Sequence, residues 1–183
     1  MSALRKELIA LPLVFQYGSN ISPKRLNADD RLQKEAKPLG LANTIDDFEL
    51  CFTHFSKENE CATADLRPGV GRSIYGVLYD IPEDRVFREK GGGKRTLDHI
   101  EGEGTAYIRT EIAVILDGDQ QNPINALTYL VKSPTENVKT CTSYVKHIID
   151  GLREYSAPCD YLKYVKQQAA KNNPDIGTKL EHL

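Results

Sequence analysis

The chain has 183 residues, 40% of them hydrophobic and 27% charged, with a net charge of −2, the balance of a soluble globular protein built on one core. A charge so close to neutral excludes a sequence-wide basic field, and with it nucleic acid as the main partner. No run approaches the length of a membrane span, and Met1 to Leu11 carry Arg5 and Lys6 without a long apolar stretch, so neither a membrane anchor nor a secretory signal is predicted.

A cytoplasmic protein is therefore expected, with its four cysteines (Cys51, Cys61, Cys141 and Cys159) as reduced thiols. Three disulfide pairings remain open on spacing alone. Cys51-x-x-His54, with Cys61 nearby, does not make a metal site: residues three apart on a strand face opposite ways, and no second Cys/His pair completes a set.

In chain order, Ser2 to Ile9 reads as a short helix or a loose arm. Leu13 to Tyr17 is an apolar, β-prone run that stops abruptly at Gly18-Ser19-Asn20. Gly and Asn tolerate positive φ, and Ser and Asn side chains bond nearby amides, so such a turn can aim several N–H groups at an anion or a developing oxyanion. The plainer reading is a strand-to-helix turn with an Asn cap. Ser22 to Leu32 predicts a helix, with Ser22 as its cap and Pro23 at its first position.

Ala36 to Asn43, Phe48 to Phe55 and Cys61 to Leu66 are strand-like, the last closed by Arg67-Pro68-Gly69. Ser73 to Ile81 alternates cleanly, with Ile74, Gly76, Leu78 and Asp80 on one face and Tyr75, Val77 and Tyr79 on the other. Short helices are expected over Glu83 to Glu89 and Arg95 to Glu101, and strands over Ala106 to Leu116 and Ala126 to Val131. From Glu136 the apolar spacing becomes helical, giving two helices around Tyr144 to Leu152 and Tyr161 to Val165, then a frayed polar tail after Lys171. Strands with inserted helices and two closing helices make one α+β domain over 1–183, with its core about 13–170 and a largely antiparallel or mixed sheet.

Several chemical motifs fail on inspection. Gly91-Gly92-Gly93-Lys94 is not a phosphate loop, since Arg88 stands where its first glycine belongs and Arg95 where Ser or Thr would bind magnesium. Gly69-Val70-Gly71-Arg72 lacks the third glycine of a dinucleotide fingerprint. Ser19 has no evident histidine partner as a nucleophile. Leu97-Asp98-His99-Ile100-Glu101-Gly102 is more informative. Leu97 and Ile100 would hold a helical turn against the core, and Gly102 would end it with Glu101 at its last position. There the unsatisfied carbonyls and apolar surroundings disfavour the carboxylate, raising its pKa toward the range useful for proton transfer. Two solvated acids at a surface helix end is the competing reading.

Taken together, Tyr17-Gly18-Ser19-Asn20, Leu97-Asp98-x-x-Glu101-Gly102 and the Tyr107 strand resemble the γ-glutamylcyclotransferase family. Supporting blocks fall in the same order: Asp47-Phe48-Glu49-Leu50, Ile74 to Tyr79, Thr128-Tyr129-Leu130 and Ser143-Tyr144-x-x-His147-Ile148-Ile149. Asn20, where glutathione-specific relatives usually carry Leu, sets the chain nearer the dipeptide-acting and AIG2-like branches. The resemblance spans roughly Leu13 to Ala170. It implies a small closed mixed β-barrel with flanking helices, and conversion of a γ-glutamyl amino acid or amine to 5-oxoproline and the free amino acid or amine. It also implies Glu101 as the acid/base residue and Tyr17, Gly18, Ser19, Asn20, Tyr107 and Tyr144 as substrate-binding, with no metal or other cofactor.

Lys94, Arg95 and Arg109 are either aids to holding an acidic substrate or solvated surface charges. The runs Gly91 to Lys94 and Glu103 to Thr105 depart from relatives beside the site, which leaves the leaving group undetermined. The partner expected is a small γ-glutamyl molecule, with no nucleic acid or membrane. Oligomeric state is open, a homodimer included, and so is a non-catalytic relative that binds a small ligand or a protein.

Overall fold

The computed structural model describes residues 12–183 apart from 70, 118 and 120, so the arm expected over Ser2 to Ile9 lies outside the described residues. Five strands close into a mixed barrel in the order β1 (Leu13–Gln16), β5 (Tyr75–Asp80), β2 (Lys37–Thr44), β6 (Tyr107–Leu116) and β7 (Ile124–Val131). Closure depends on β1, antiparallel to β5 on one side and parallel to β7 on the other, where Val14 faces Leu127. Buried on both sides, β1 must be apolar at successive positions rather than alternating, and Val14 and Phe15 are fully buried. The same holds for β5: the two faces read from its alternation are both covered, with Val77, Leu78 and Tyr79 inaccessible.

A separate hairpin, β3 (Phe48–Ser56) and β4 (Cys61–Pro68), packs across the end of β7. Asp65 ties it there by accepting from the Val131 amide at 2.9 Å. Helices α4 (Thr142–Glu154) and α5 (Cys159–Asn172) cover the outside. Cys61 on β4 and Cys141 just before α4 bring their sulfurs within 2.7 Å as free thiols.

Three expected elements are different in the structure. Helix α1 runs only over Pro23–Leu26, not to Leu32. Asn27 stops it by pairing its side-chain amide with both backbone groups of Ala36, at 2.8 and 2.9 Å, and Gln33 and Lys34 then take positive φ. The polar residues after Lys171 are not a frayed tail. A 3₁₀ turn (Pro174–Ile176) and helix α6 (Gly177–Glu181) bury Ile176 and Leu180, while Asn172 and Asn173 spend their amides on the carbonyls of Phe52, Val138 and Thr140. Likewise, the helix expected over Glu83 to Glu89 is α2 (Glu83–Val86) followed by a 3₁₀ turn (Arg88–Lys90), because the Asp98 carboxylate takes the Arg88 amide.

Helix α4 lies directly on the turn that follows β1. Gly151 allows this: a Cβ there would stand 2.6 Å from Ile21 Cγ2 and 3.0 Å from the Ser22 nitrogen. Gly151→Ala should therefore destabilise the protein by roughly 1–3 kcal/mol through overpacking, despite the better helix propensity of Ala. A thermal melt unchanged from wild type would contradict this.

Candidate active site

The strand β1 delivers Tyr17 and Gly18 to a 3₁₀ turn at Ser19–Ile21, whose single bond runs from the Ile21 amide to the Gly18 carbonyl. The amides that precede this bond are not used by the turn itself. Gly18 permits close approach from the other side, since its added Cβ would lie 3.2 Å from the Tyr144 hydroxyl. That hydroxyl accepts from the Ala64 amide at 3.0 Å, and burial pushes its pKa up to about 12.

Opposite stands α3 (Leu97–Glu101), a single turn closed by Gly102 with φ 64° and ψ 45°. This is the left-handed cap expected at that glycine. At its start, His99 Nδ1 turns back to accept from the Thr96 amide and contact its hydroxyl. Asp98, the first acid of the pair, is buried and faces away from the cavity. It accepts from Arg109 at 2.6 and 2.7 Å, from the Tyr129 hydroxyl at 2.7 Å and from the Arg88 amide at 2.9 Å. The two acids of this turn thus divide: Asp98 anchors it, and Glu101 lines the cavity.

Glu101 Oε1 accepts from Asn20 Nδ2 at 2.8 Å across 81 residues of chain. Burial raises the carboxyl's pKa above its ordinary value, and the Asn20 bond and then the charges of Arg31 and Arg25 pull it back. Of the two causes expected from the sequence, apolar surroundings and the helix end, burial is the principal one. Around these groups lie two contiguous cavities. The inner one, of about 30 Å³, is lined by the turn, Gln16, Ala64, Glu101 and the tyrosines 17, 107, 129 and 144. The outer one, of about 190 Å³, shares Ser19, Asn20, Glu101, Tyr107 and Tyr144, and adds Arg25, Arg31, His54, Glu58 and Asn59 among others.

All seven residues singled out from the sequence, Tyr17, Gly18, Ser19, Asn20, Glu101, Tyr107 and Tyr144, line the inner cavity. Their hydroxyls are not equally available. Tyr17 donates to the Tyr129 carbonyl at 2.6 Å, so its ring acts as wall, while Tyr107 meets Thr63 at 2.7 Å and the Ala64 carbonyl at 3.2 Å. Arg109 and Lys94 are spent on Asp98 and Asp84, and none of Gly91 to Lys94 lines either cavity. Among the described residues, no group of three or more His, Cys, Asp or Glu converges as metal ligands would.

Sequence reasoning missed Arg31. Its Nη1 donates to Asn20 Oδ1 at 3.0 Å and its Nη2 to Glu58 at 2.7 Å, so it fixes the Asn20 amide with the NH₂ end toward Glu101. No local pattern could reveal this, because Arg31 reaches the site only where the expected helix gives way to a loop. Removing its charge lets burial act on Glu101 with less opposition. Arg31→Met should therefore raise the pKa of Glu101 and move the acid limb of any rate profile that requires its carboxylate to higher pH. A limb that stays in place would exclude this coupling.

The family model described as Gamma-glutamyl cyclotransferase, AIG2-like, matches residues 14–147. Among solved structures, the chain is similar to an uncharacterized protein from Homo sapiens at 24% identity, over 85% of this chain and 86% of that one, with a TM-score of 0.70. It is similar to a γ-glutamyl cyclotransferase at 21% identity, over 93% and 98% of the two chains, also with a TM-score of 0.70. Bacillus subtilis YkqA aligns at 20% identity over 92% of this chain and 58% of its own, with a TM-score of 0.68. At these identities the likenesses establish the fold. No curated protein matches the sequence.

Proposed function

Because the chain belongs to the γ-glutamyl cyclotransferase, AIG2-like family, we propose that it cyclises a γ-glutamyl amino acid or γ-glutamyl amine to 5-oxoproline, releasing the free amino acid or amine. The observation that carries this reading is the meeting of Asn20 and Glu101 at 2.8 Å on the wall of one cavity. A carboxylate whose pKa is raised by burial yet steadied by one amide suits repeated proton transfer better than simple ligand binding.

The substrate supplies its own nucleophile. Its α-amine attacks its γ-carbonyl carbon, a new C–N bond closes the five-membered ring, and the original amide C–N bond breaks. Intramolecular attack from the right conformer removes on the order of 7–11 kcal/mol of barrier in ideal cases, so the protein has three remaining tasks. An α-ammonium with a pKa of about 8 is mostly protonated at neutral pH, so Glu101 takes a proton from the amine. Glu101 then returns that proton to the departing nitrogen, and the ring nitrogen gives its remaining extra proton to solvent, from which the released amine regains its charge. Between these steps the γ-carbonyl oxygen carries negative charge, which backbone amides of Gly18 to Asn20 would stabilise.

A panel of γ-glutamyl dipeptides, γ-glutamyl amines and glutathione, assayed for 5-oxoproline, tests the reading. Release from at least one of them is expected. Binding of these compounds without turnover would make the protein a ligand-binding relative instead.

A further inference from the structure

One residue lining each end of the joined cavity carries a buried N–H donor that has no acceptor among the described residues. At the inner end this is Gln16 Nε2, on a side chain only 5% exposed; at the outer end it is Arg25 Nε. An unmet donor in such a place is costly unless a ligand completes it. The outer end also carries unequal charge pairing. Glu58 lies 2.7 Å from Arg31 but 3.8 Å from Arg25, and its side chain is 57% exposed, so solvent weakens whatever it offers Arg25. The close partner of Arg25 is neutral, Asn59 Oδ1 at 3.0 Å. Burial and the neighbouring Arg31 both disfavour the charge of Arg25, and burial lowers the pKa of His54, which keeps that imidazole from adding a second unmet charge.

We propose that Arg25 is the specificity-determining residue of the outer cavity, where it binds a carboxylate on the leaving group, so that the preferred substrates release an amino acid rather than an uncharged-side amine. This rests on the cyclotransferase reading above. The glutamyl part is the same in every substrate and must sit with its γ-carbonyl at the turn of Gly18 to Asn20, at the enclosed inner end. The leaving part must enter and depart by the outer end, past Arg25 and Asn59. A guanidinium recognises a carboxylate through paired N–H donors, and an amino acid leaving group supplies that second carboxylate whereas a simple amine does not.

The test compares γ-glutamylalanine with γ-glutamylethylamine, the same molecule with the leaving-group carboxylate replaced by hydrogen. Wild type should prefer γ-glutamylalanine by about ten- to a hundredfold in kcat/KM, as expected for one charge-assisted contact. Most of this should lie in KM. In Arg25→Met the ratio should collapse toward one, with partial recovery in Arg25→Lys. A wild-type ratio near one overturns the proposal, as does a ratio that survives Arg25→Met. Equal losses on both substrates in Arg25→Met also overturn it, since the arginine would then serve the glutamyl half or the fold. If neither compound yields 5-oxoproline with wild type, while glutathione and other dipeptides also fail, the cyclotransferase reading itself falls.

Discussion

Glu101→Gln lowers kcat for 5-oxoproline release by on the order of 10²–10⁴-fold and leaves the fold standing. Glutamine can still meet the Asn20 side chain at the position where the carboxylate now accepts at 2.8 Å, but it can neither take the α-ammonium proton nor return one to the departing nitrogen. The loss should therefore fall on kcat, with substrate still bound. The same substitution should raise stability at neutral pH. Burial raises the Glu101 pKa in the folded protein, so the folded state holds this proton more tightly than the unfolded chain. Wild-type stability accordingly falls as pH rises from the ordinary carboxylate pKa through the folded one. Glutamine has no such dependence. Melting curves should show Glu101→Gln above wild type at neutral pH and level with it at acid pH. A variant that is as active as wild type would remove Glu101 from the mechanism, and one no more stable at neutral pH would remove the buried charge.

Asp98→Ala should have the largest effect on stability. Asp98 is 1% exposed and holds four donor contacts that join α3, β6, β7 and the turn at Arg88. Breaking a buried pair by deleting one partner costs about 3–5 kcal/mol, because the other groups stay behind unpaired. Arg109 is 24% exposed and can regain water, which places the expected loss near the lower end, about 3 kcal/mol, or roughly 6–12 °C in Tm. The stranded groups would be the Tyr129 hydroxyl and the Arg88 amide. Since Glu101 lies on the same short turn, activity should fall as well. A melt within a degree of wild type would mean that this network does not anchor α3.

The elements were readable because they carry strong local signals: the apolar Leu13 to Phe15 of β1, the alternation of β5, and the change to helical spacing in α4 and α5; closure of the strands into a barrel was implied only by the family resemblance. The site was half readable. Tyr17 to Asn20 and Leu97 to Gly102 each contain their own turn chemistry, a Gly-Ser-Asn break and a glycine that takes φ 64°. Arg31 was not readable, because its placement depends on Asn27 pairing with Ala36 nine residues away rather than continuing a helix. The C-terminal segment misled for a related reason. Asn172 and Asn173 look solvent-seeking, yet they cap backbone carbonyls across the fold. Polar residues that bond distant backbone groups give no periodic signal.

Turnover of a γ-glutamyl dipeptide in oxygen-18 water, followed by mass spectrometry of both products, separates cyclisation from every hydrolytic alternative. The substrate's α-amine, not water, should reach the γ-carbonyl carbon, so unlabelled 5-oxoproline should appear in equal amount with the free amino acid, in a reaction that Glu101→Gln suppresses. Glutamate carrying the oxygen-18 label would show that water is the nucleophile and would contradict the assignment of the cavity between Asn20 and Glu101 to an intramolecular cyclisation.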